Sequence, residues 1–372
     1  MARSIARQGG HGLFILLLLG MAAAPIGLGA QDNRLPDRLT DAEFWAMVDT
    51  SGISEPGGYF RITDNFTSNE REIGQLFTML RENGTHGGVY LGVGPEQNLT
   101  YIAAVRPQMA FIVDIRRQAV MQHLMFKAIF EMAPDRAEFI SILFSKKRPP
   151  NLDATTPIQG IWDAYWNVPS DSSMWRTNYG RIVELLTQRH GFRLTDDEVQ
   201  SVKWVFDAFF AFGPTIHTRS GSGGGGNAST FADLTGYSND ASGSPRSFLS
   251  SEENYAYVKD LHARNLIVPV SGDFGGPKTL RSIGAWLRER NATVSAFYVS
   301  NVEQYLFQDG KAMAFYENVG TLPVNDASIF IRPFSLRRYG LSVQSLCPIA
   351  PFIEAARASR VPSNNAAMSC PR

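Results

Sequence analysis

Short apolar runs bounded by turn residues alternate with stretches whose apolar positions recur at helical spacing, and this alternation organises the chain. Thr40 is placed to cap a helix in which Phe44, Trp45 and Val48 share one face, and Gly57 and Gly58 end that unit. The spacing predicts a second helix from Asn69 to Asn83, with Asn69 and Glu72 as a capping box. Its buried stripe is Ile73, Leu76, Phe77 and Leu80, and Asn83 and Gly84 stop it. Gly88 to Val93 reads as a strand, Gly94 to Asn98 as a turn, Leu99 to Val105 as a helix, and Met109 to Val113 as a second strand ending in Asp114. Strand, helix and strand in so few residues predict a right-handed βαβ unit and a parallel sheet. Ala119 to Met132 follows as a long amphipathic helix.

From Ala133 to about Leu261 the pattern is mostly helical, with helices predicted over Tyr179 to His190 and Asp196 to Phe212, stopped by Gly191 and Gly213. Residues 220–226, almost all glycine, read as a mobile surface loop. No Lys-Ser/Thr follows these glycines, as a phosphate-binding loop would require. Strand character returns at Leu266 to Val270, Val294 to Val299 and Ser328 to Arg332, with helices predicted over Lys278 to Arg290 and from Ser300 onward. The expected fold class is therefore α/β: a doubly wound, mostly parallel sheet with N-terminal helices and a large helical insertion. The expected divisions are 1–30, a signal or anchor; 31–86, a helical lead-in; 87–335, the α/β domain with its insertion at about 133–261; and 336–372, a partly disordered C-terminal extension.

Composition changes this picture in three places. Lys+Arg and Asp+Glu both number 35 in 372 residues, so no net charge draws the chain to nucleic acid or to an anionic membrane. At the N-terminus, Arg3 and Arg7 precede an apolar run from Leu13 to Ala24 and then small residues up to Ala30, the order found in a secretory signal. The run is short for a membrane span, so export to the periplasm or medium is expected, with an uncleaved anchor as the alternative. The two cysteines, Cys347 and Cys370, either pair in an exported chain, which is worth about 3 kcal/mol, or remain separate thiols. The six His residues are scattered, and no metal site is expected.

Parallel sheets present ligands to the carboxyl ends of their strands, where strand order reverses. Gly92, Gly94, Glu96 and Asn98 follow the first strand, and glycines there let backbone approach a ligand. Asp114, at the end of the second strand, is a candidate acceptor for ribose hydroxyls, or else a partner for Arg116 or Arg117. Asp273 follows the third strand, where it can meet an adenine amino group. Ser300, Asn301 and Glu303 follow the fourth, facing the reacting end of a cofactor or capping the next helix. Trp162, Tyr165 and Trp166 form an aromatic cluster suited to core packing or to stacking on a ligand.

Gly88 to Asp114 resembles the first motif of class I S-adenosylmethionine-dependent methyltransferases. The runs Val89-Tyr-Leu-Gly-Val-Gly-Pro-Glu-Gln-Asn98, Phe111-Ile-Val-Asp-Ile-Arg-Arg117 and Val294 to Leu306 are similar to a group of uncharacterised bacterial proteins with a methyltransferase-like fold. The resemblance spans about residues 35 to 335. It implies S-adenosylmethionine as cofactor, with Gly92, Gly94 and Asn98 cradling its amino-acid end, Asp114 its ribose and Asp273 its adenine. Ser300, Asn301 and Glu303 would then orient a small acceptor. The chain departs from the family pattern at Tyr90, where a carboxylate is usual, and at Glu96, which replaces the third glycine and is the candidate substitute for that carboxylate.

A cytosolic cofactor and an export signal point in opposite directions. Two readings therefore stand side by side: a methyltransferase-like enzyme, and an exported protein that uses the same fold to hold a nucleoside-like or other small ligand without turnover. A nicotinamide dehydrogenase fits less well, because its third glycine would fall at Gln97, and no Gly-x-Ser-x-Gly marks a hydrolase nucleophile.

Overall fold

A computed structural model describes residues 34–58, 65–70, 73–221, 228–332 and 346–371. The signal-like segment 1–30, the Glu72 end of the expected capping box and most of the glycine-rich loop lie outside these residues.

The N-terminal lead-in contains α1 (Asp41–Val48) and α2 (Ile73–Glu82). Thr40 caps α1 reciprocally: its hydroxyl accepts from the Glu43 amide at 3.2 Å, while its own amide donates to Glu43 at 2.8 Å. Then come β1 (Val89–Gly92), α3 (Gln97–Val105), β2 (Met109–Asp114) and α4 (Arg117–Met132). The insertion supplies α5 (Arg136–Phe144), α6 (Ile158–Trp166), α7 (Ser172–Glu184), α8 (Asp196–Phe212), α9 (Phe231–Gly236) and α10 (Glu252–Ala263). The chain returns with β3 (Ile267–Ser271), α11 (Thr279–Arg288), β4 (Val294–Tyr298), α12 (Val302–Gln308), α13 (Ala312–Val319) and β5 (Ile329–Ile331). It closes with β6 (Leu346–Pro348), α14 (Ile349–Arg357) and α15 (Asn364–Met368).

The six strands form one sheet in the order β3-β2-β1-β4-β5-β6, parallel except for β6 against β5. Strand order reverses between β1 and β4, which are neighbours, the position at which open parallel sheets generally receive ligands. Strands β1, β2 and β3 are buried along their whole length, as expected of parallel strands covered on both faces.

Helix α4 departs from its expected amphipathic form. Every residue from Ala119 to Phe130 is buried, including Gln122, His123 and Lys127, because the insertion helices α8 and α10 pack on the helix as well as the sheet. The polar residues of α4 compensate by bonding inward, as in Gln122 Nε2 donating to the Phe66 carbonyl at 2.6 Å and Lys127 Nζ to the His262 carbonyl at 2.6 Å. In the insertion, the helix expected over Tyr179 to His190 begins earlier, at Ser172. It ends as a π-turn over Leu185–Arg189 before Gly191. Trp162 and Tyr165 are buried in the core of the insertion and Trp166 is exposed, so the three do not line one pocket.

The C-terminal extension is also more ordered than its composition suggested. Strand β6 belongs to the sheet, so the expected boundary at 335 cuts the fold, and Cys347 in β6 is disulfide-bonded to Cys370 beyond α15. Among the described residues no helix is long and apolar enough to cross a membrane.

Candidate functional site

The bend after β1 is held from within. Gly94 turns the chain at φ 81°, a conformation that side chains with a Cβ resist. Asn98, the second residue of α3, then ties the bend together: its amide nitrogen donates to the carbonyls of Val93 at 3.0 Å, Gly94 at 3.1 Å and Pro95 at 2.8 Å, and its oxygen accepts from the Tyr90 hydroxyl at 2.9 Å. Gly92 is required for this packing, because a Cβ there would lie 2.0 Å from the Asn98 oxygen and 2.7 Å from the Tyr90 ring. From α4, His123 Nε2 meets the Gly94 carbonyl at 2.9 Å. A carbonyl can only accept, so Nε2 carries the proton and Nδ1 presents a lone pair. Burial keeps this imidazole neutral by pushing its pKa down.

Two carboxyl groups sit beside this bend. Glu96, the residue before α3, is fully buried and accepts from the Ser68 amide at 3.1 Å and 3.2 Å, one bond to each oxygen. Loss of water pushes its pKa up to about 8. Glu70 belongs to the segment 65–70, which Gln122 and Thr218 pin against the insertion. It accepts from the Tyr298 hydroxyl at the end of β4 at 2.8 Å and from Ser300 Oγ at 3.3 Å, and burial raises its pKa as well. Tyr101 completes the group. Its ring lies 4.9 Å from that of Tyr298, and burial together with the neighbouring Glu70 and Glu96 charges raises its pKa well above the ordinary phenol value.

Residues of this neighbourhood carry buried polar atoms with no hydrogen-bond partner: Tyr101 Oη, Gln97 Oε1, Thr67 Oγ1 and His123 Nδ1. An unpaired buried polar atom costs about 1–3 kcal/mol. Several at one strand-order reversal are more than a core tolerates without a partner.

The expected site residues divide accordingly. Gly92, Gly94, Glu96, Asn98 and Ser300 belong to this one neighbourhood. Asp114, at the end of β2, is held by its own loop: it accepts from the Arg116 amide at 2.9 Å, from Arg116 Nε at 3.1 Å and from Nη2 at 3.0 Å. Asp273 turns to the Gly275 amide at 2.9 Å and to Lys311 Nζ at 2.6 Å. Asn301 stands at the start of α12, but its side chain makes no capping bond. Glu303 is corrected outright. Its carboxylate points into the core and is taken up by Arg332, with Nε at 2.7 Å and Nη2 at 3.0 Å, and by the Tyr316 hydroxyl at 2.8 Å. It cannot orient an acceptor from there.

The expected contacts to S-adenosylmethionine do not fit this arrangement. The side of Gly92 where a Cβ would stand is filled by Asn98 and Tyr90, so that glycine leaves no room for the amino-acid end expected beside it. Both oxygens of Asp114 already accept from Arg116, which leaves a ribose a contested acceptor. Among the described residues no three His, Cys, Asp or Glu side chains gather as metal ligands.

Sequence reasoning missed Glu70, Tyr101 and Tyr298. Glu70 lies in an aperiodic segment, and only the fold brings it to the strand ends. The tyrosines did leave a signal: each is a phenol in a largely buried element, and buried phenol hydroxyls seek partners.

Fold and cluster thus define an α/β protein with a mostly parallel six-stranded sheet and a buried polar group at its strand-order reversal. Residues 65–185 and 231–348 match the family described as a domain of unknown function, DUF7790, and the chain belongs to that family. The unmatched stretch 186–230 contains α8, so the matched parts carry the whole sheet and the residues of the cluster. No curated protein matches the chain.

Proposed function

We propose that this is an exported protein that holds a nucleoside-like or other small polar ligand at the reversal between β1 and β4 without methyl transfer. The observation that carries the reading is the set of buried, unpartnered polar atoms on Tyr101, Gln97, Thr67 and His123, gathered where an open parallel sheet receives ligands. The strand order supports a doubly wound fold of the nucleotide-binding kind, in which the first and fourth strands flank the ligand. The signal-like N-terminus and the Cys347 to Cys370 disulfide support an oxidising compartment.

Methyl transfer from S-adenosylmethionine keeps the support of the strand order and of Asp114 at the end of β2, and loses that of the glycine bend. One experiment separates the two. Purified protein is mixed with a small-metabolite extract of its source cells plus S-adenosylmethionine and followed by ligand-observed NMR. A metabolite whose signal is attenuated by the wild type and spared by Tyr101→Phe is the expected result. Conversion of S-adenosylmethionine to S-adenosylhomocysteine would favour the enzyme, and no attenuation of any signal would remove both readings.

A further inference from the structure

The polar cluster has a one-sided chemistry. Its unpaired atoms are Gln97 Oε1, which can only accept, and the Tyr101 and Thr67 hydroxyls, which can accept as well as donate. Around them stand the carboxyl groups of Glu70 and Glu96. The groups that bond to these carboxyls are neutral: the Tyr298 and Ser300 hydroxyls on Glu70, and the Ser68 amide on Glu96. Among the described residues no lysine, arginine or histidine forms an ion pair with either carboxyl or tempers its raised pKa.

Every other strongly buried carboxylate around the sheet is treated differently. Asp114 has Arg116 and Glu303 has Arg332, each at hydrogen-bond distance. Among the described residues, the two buried acids at the reversal between β1 and β4 have no cation beside them, and burial favours the protonated form of each until a counter-charge is supplied. Tyr101 ties the two together: its hydroxyl is fully buried, has no partner, and lies within electrostatic reach of both Glu70 and Glu96.

Resting on the ligand-binding reading above, we infer that the ligand carries a protonated amine and that Glu70, Glu96 and the Tyr101 hydroxyl receive it. An ammonium group is a compact point charge with several donors and no acceptor, which complements a cluster made of acceptors. The Tyr101 and Tyr298 rings add faces that favour a cation. A carboxylate or phosphate at this position would meet two acids and an amide oxygen, and a neutral alcohol would gain no charge-assisted bond from either acid.

The test uses the full-length protein and paired probes of matched shape: butylamine and phenethylamine, with butanol and phenylethanol as their uncharged partners, titrated by ligand-observed NMR. A charge-assisted bond gives each amine an affinity about tenfold or more above that of its alcohol. The double variant Glu70→Gln with Glu96→Gln, which keeps shape and removes charge, brings that ratio to about one. Should the double variant fail to fold, Tyr101→Phe is read instead, and a several-fold fall in the amine preference is expected. Amines and alcohols binding alike would overturn the amine assignment and leave the ligand site standing. Binding of neither class, with no signal from the metabolite extract, would overturn the site itself.

Discussion

Glu303 and Arg332 form a two-pronged ion pair in the core, with side chains only 2% and 0% exposed. The pair locks the first turn of α12 to the end of β5, and the guanidinium also lies over the rings of Phe330 at 4.6 Å and Phe352 at 4.3 Å, reaching α14. A residue read from sequence as facing a ligand is therefore a strut between three elements. Glu303→Ala leaves Arg332 buried and unpaired, and a loss of about 3–5 kcal/mol is expected in urea unfolding. A variant within about 0.5 kcal/mol of the wild type would mean that Glu303 is not structural.

Glu96 makes a pH-dependent contribution whose sign is fixed by its raised pKa, about 8 against an ordinary value of 4.5, owing first to lost hydration. Between these values the folded protein keeps a proton that the unfolded chain has released, so stability falls as pH rises and the loss is complete above about 8. Glu96→Gln does not titrate. Its stability is expected to match that of the wild type near pH 4 and to exceed it increasingly towards about pH 8, where the difference reaches a few kcal/mol. Parallel melting curves across that range would contradict the burial of a protonated acid.

Gly92→Ala tests whether the bend is filled by the protein itself. The new Cβ would collide with the Asn98 oxygen at 2.0 Å and force that side chain off three backbone carbonyls. A loss of roughly 2–4 kcal/mol is expected. The paired change Gly92→Ala with Asn98→Ala should cost less than the sum of the two single changes, because the contact with the Asn98 oxygen is then gone and only that with the Tyr90 ring remains. Strict additivity, measured by denaturant unfolding, would show that the two residues do not meet.

The disulfide fastens β6 and the two last helices as one flap on the sheet edge. Closing 23 residues of chain is worth about 3 kcal/mol in the entropy picture. Cys370→Ser should lower stability by about that amount, and a thiol assay on unfolded, unreduced protein should find neither cysteine free. Two reactive thiols would contradict the pairing and weaken the case for export.

Elements governed by local periodicity were legible in the sequence. The cap at Thr40 and the helix from Asp196 to Phe212 stand where the pattern puts them. So do β1 and β2, because four to six apolar residues between turn formers have few alternatives. What the sequence concealed is non-local. The insertion buries α4 on all sides, so its polar residues look exposed by pattern and are interior in fact. Glu303 looks like a ligand contact by position, yet its partner is Arg332, which follows β5, whereas the local alternative for Asp114, a pair with Arg116, was legible and is the one formed. Glu70 joins the cluster only because the segment 65–70 is pinned over the strand ends.

The central claim is that the polar cluster between β1 and β4 holds a small molecule. Mass spectrometry of native protein purified from its source, compared with Tyr101→Phe purified in the same way, tests it most directly. The account predicts a stoichiometric low-mass, amine-bearing compound released from the wild type on denaturation and depleted in the variant. A wild-type protein that releases nothing, or a variant that retains the same compound equally, would contradict it.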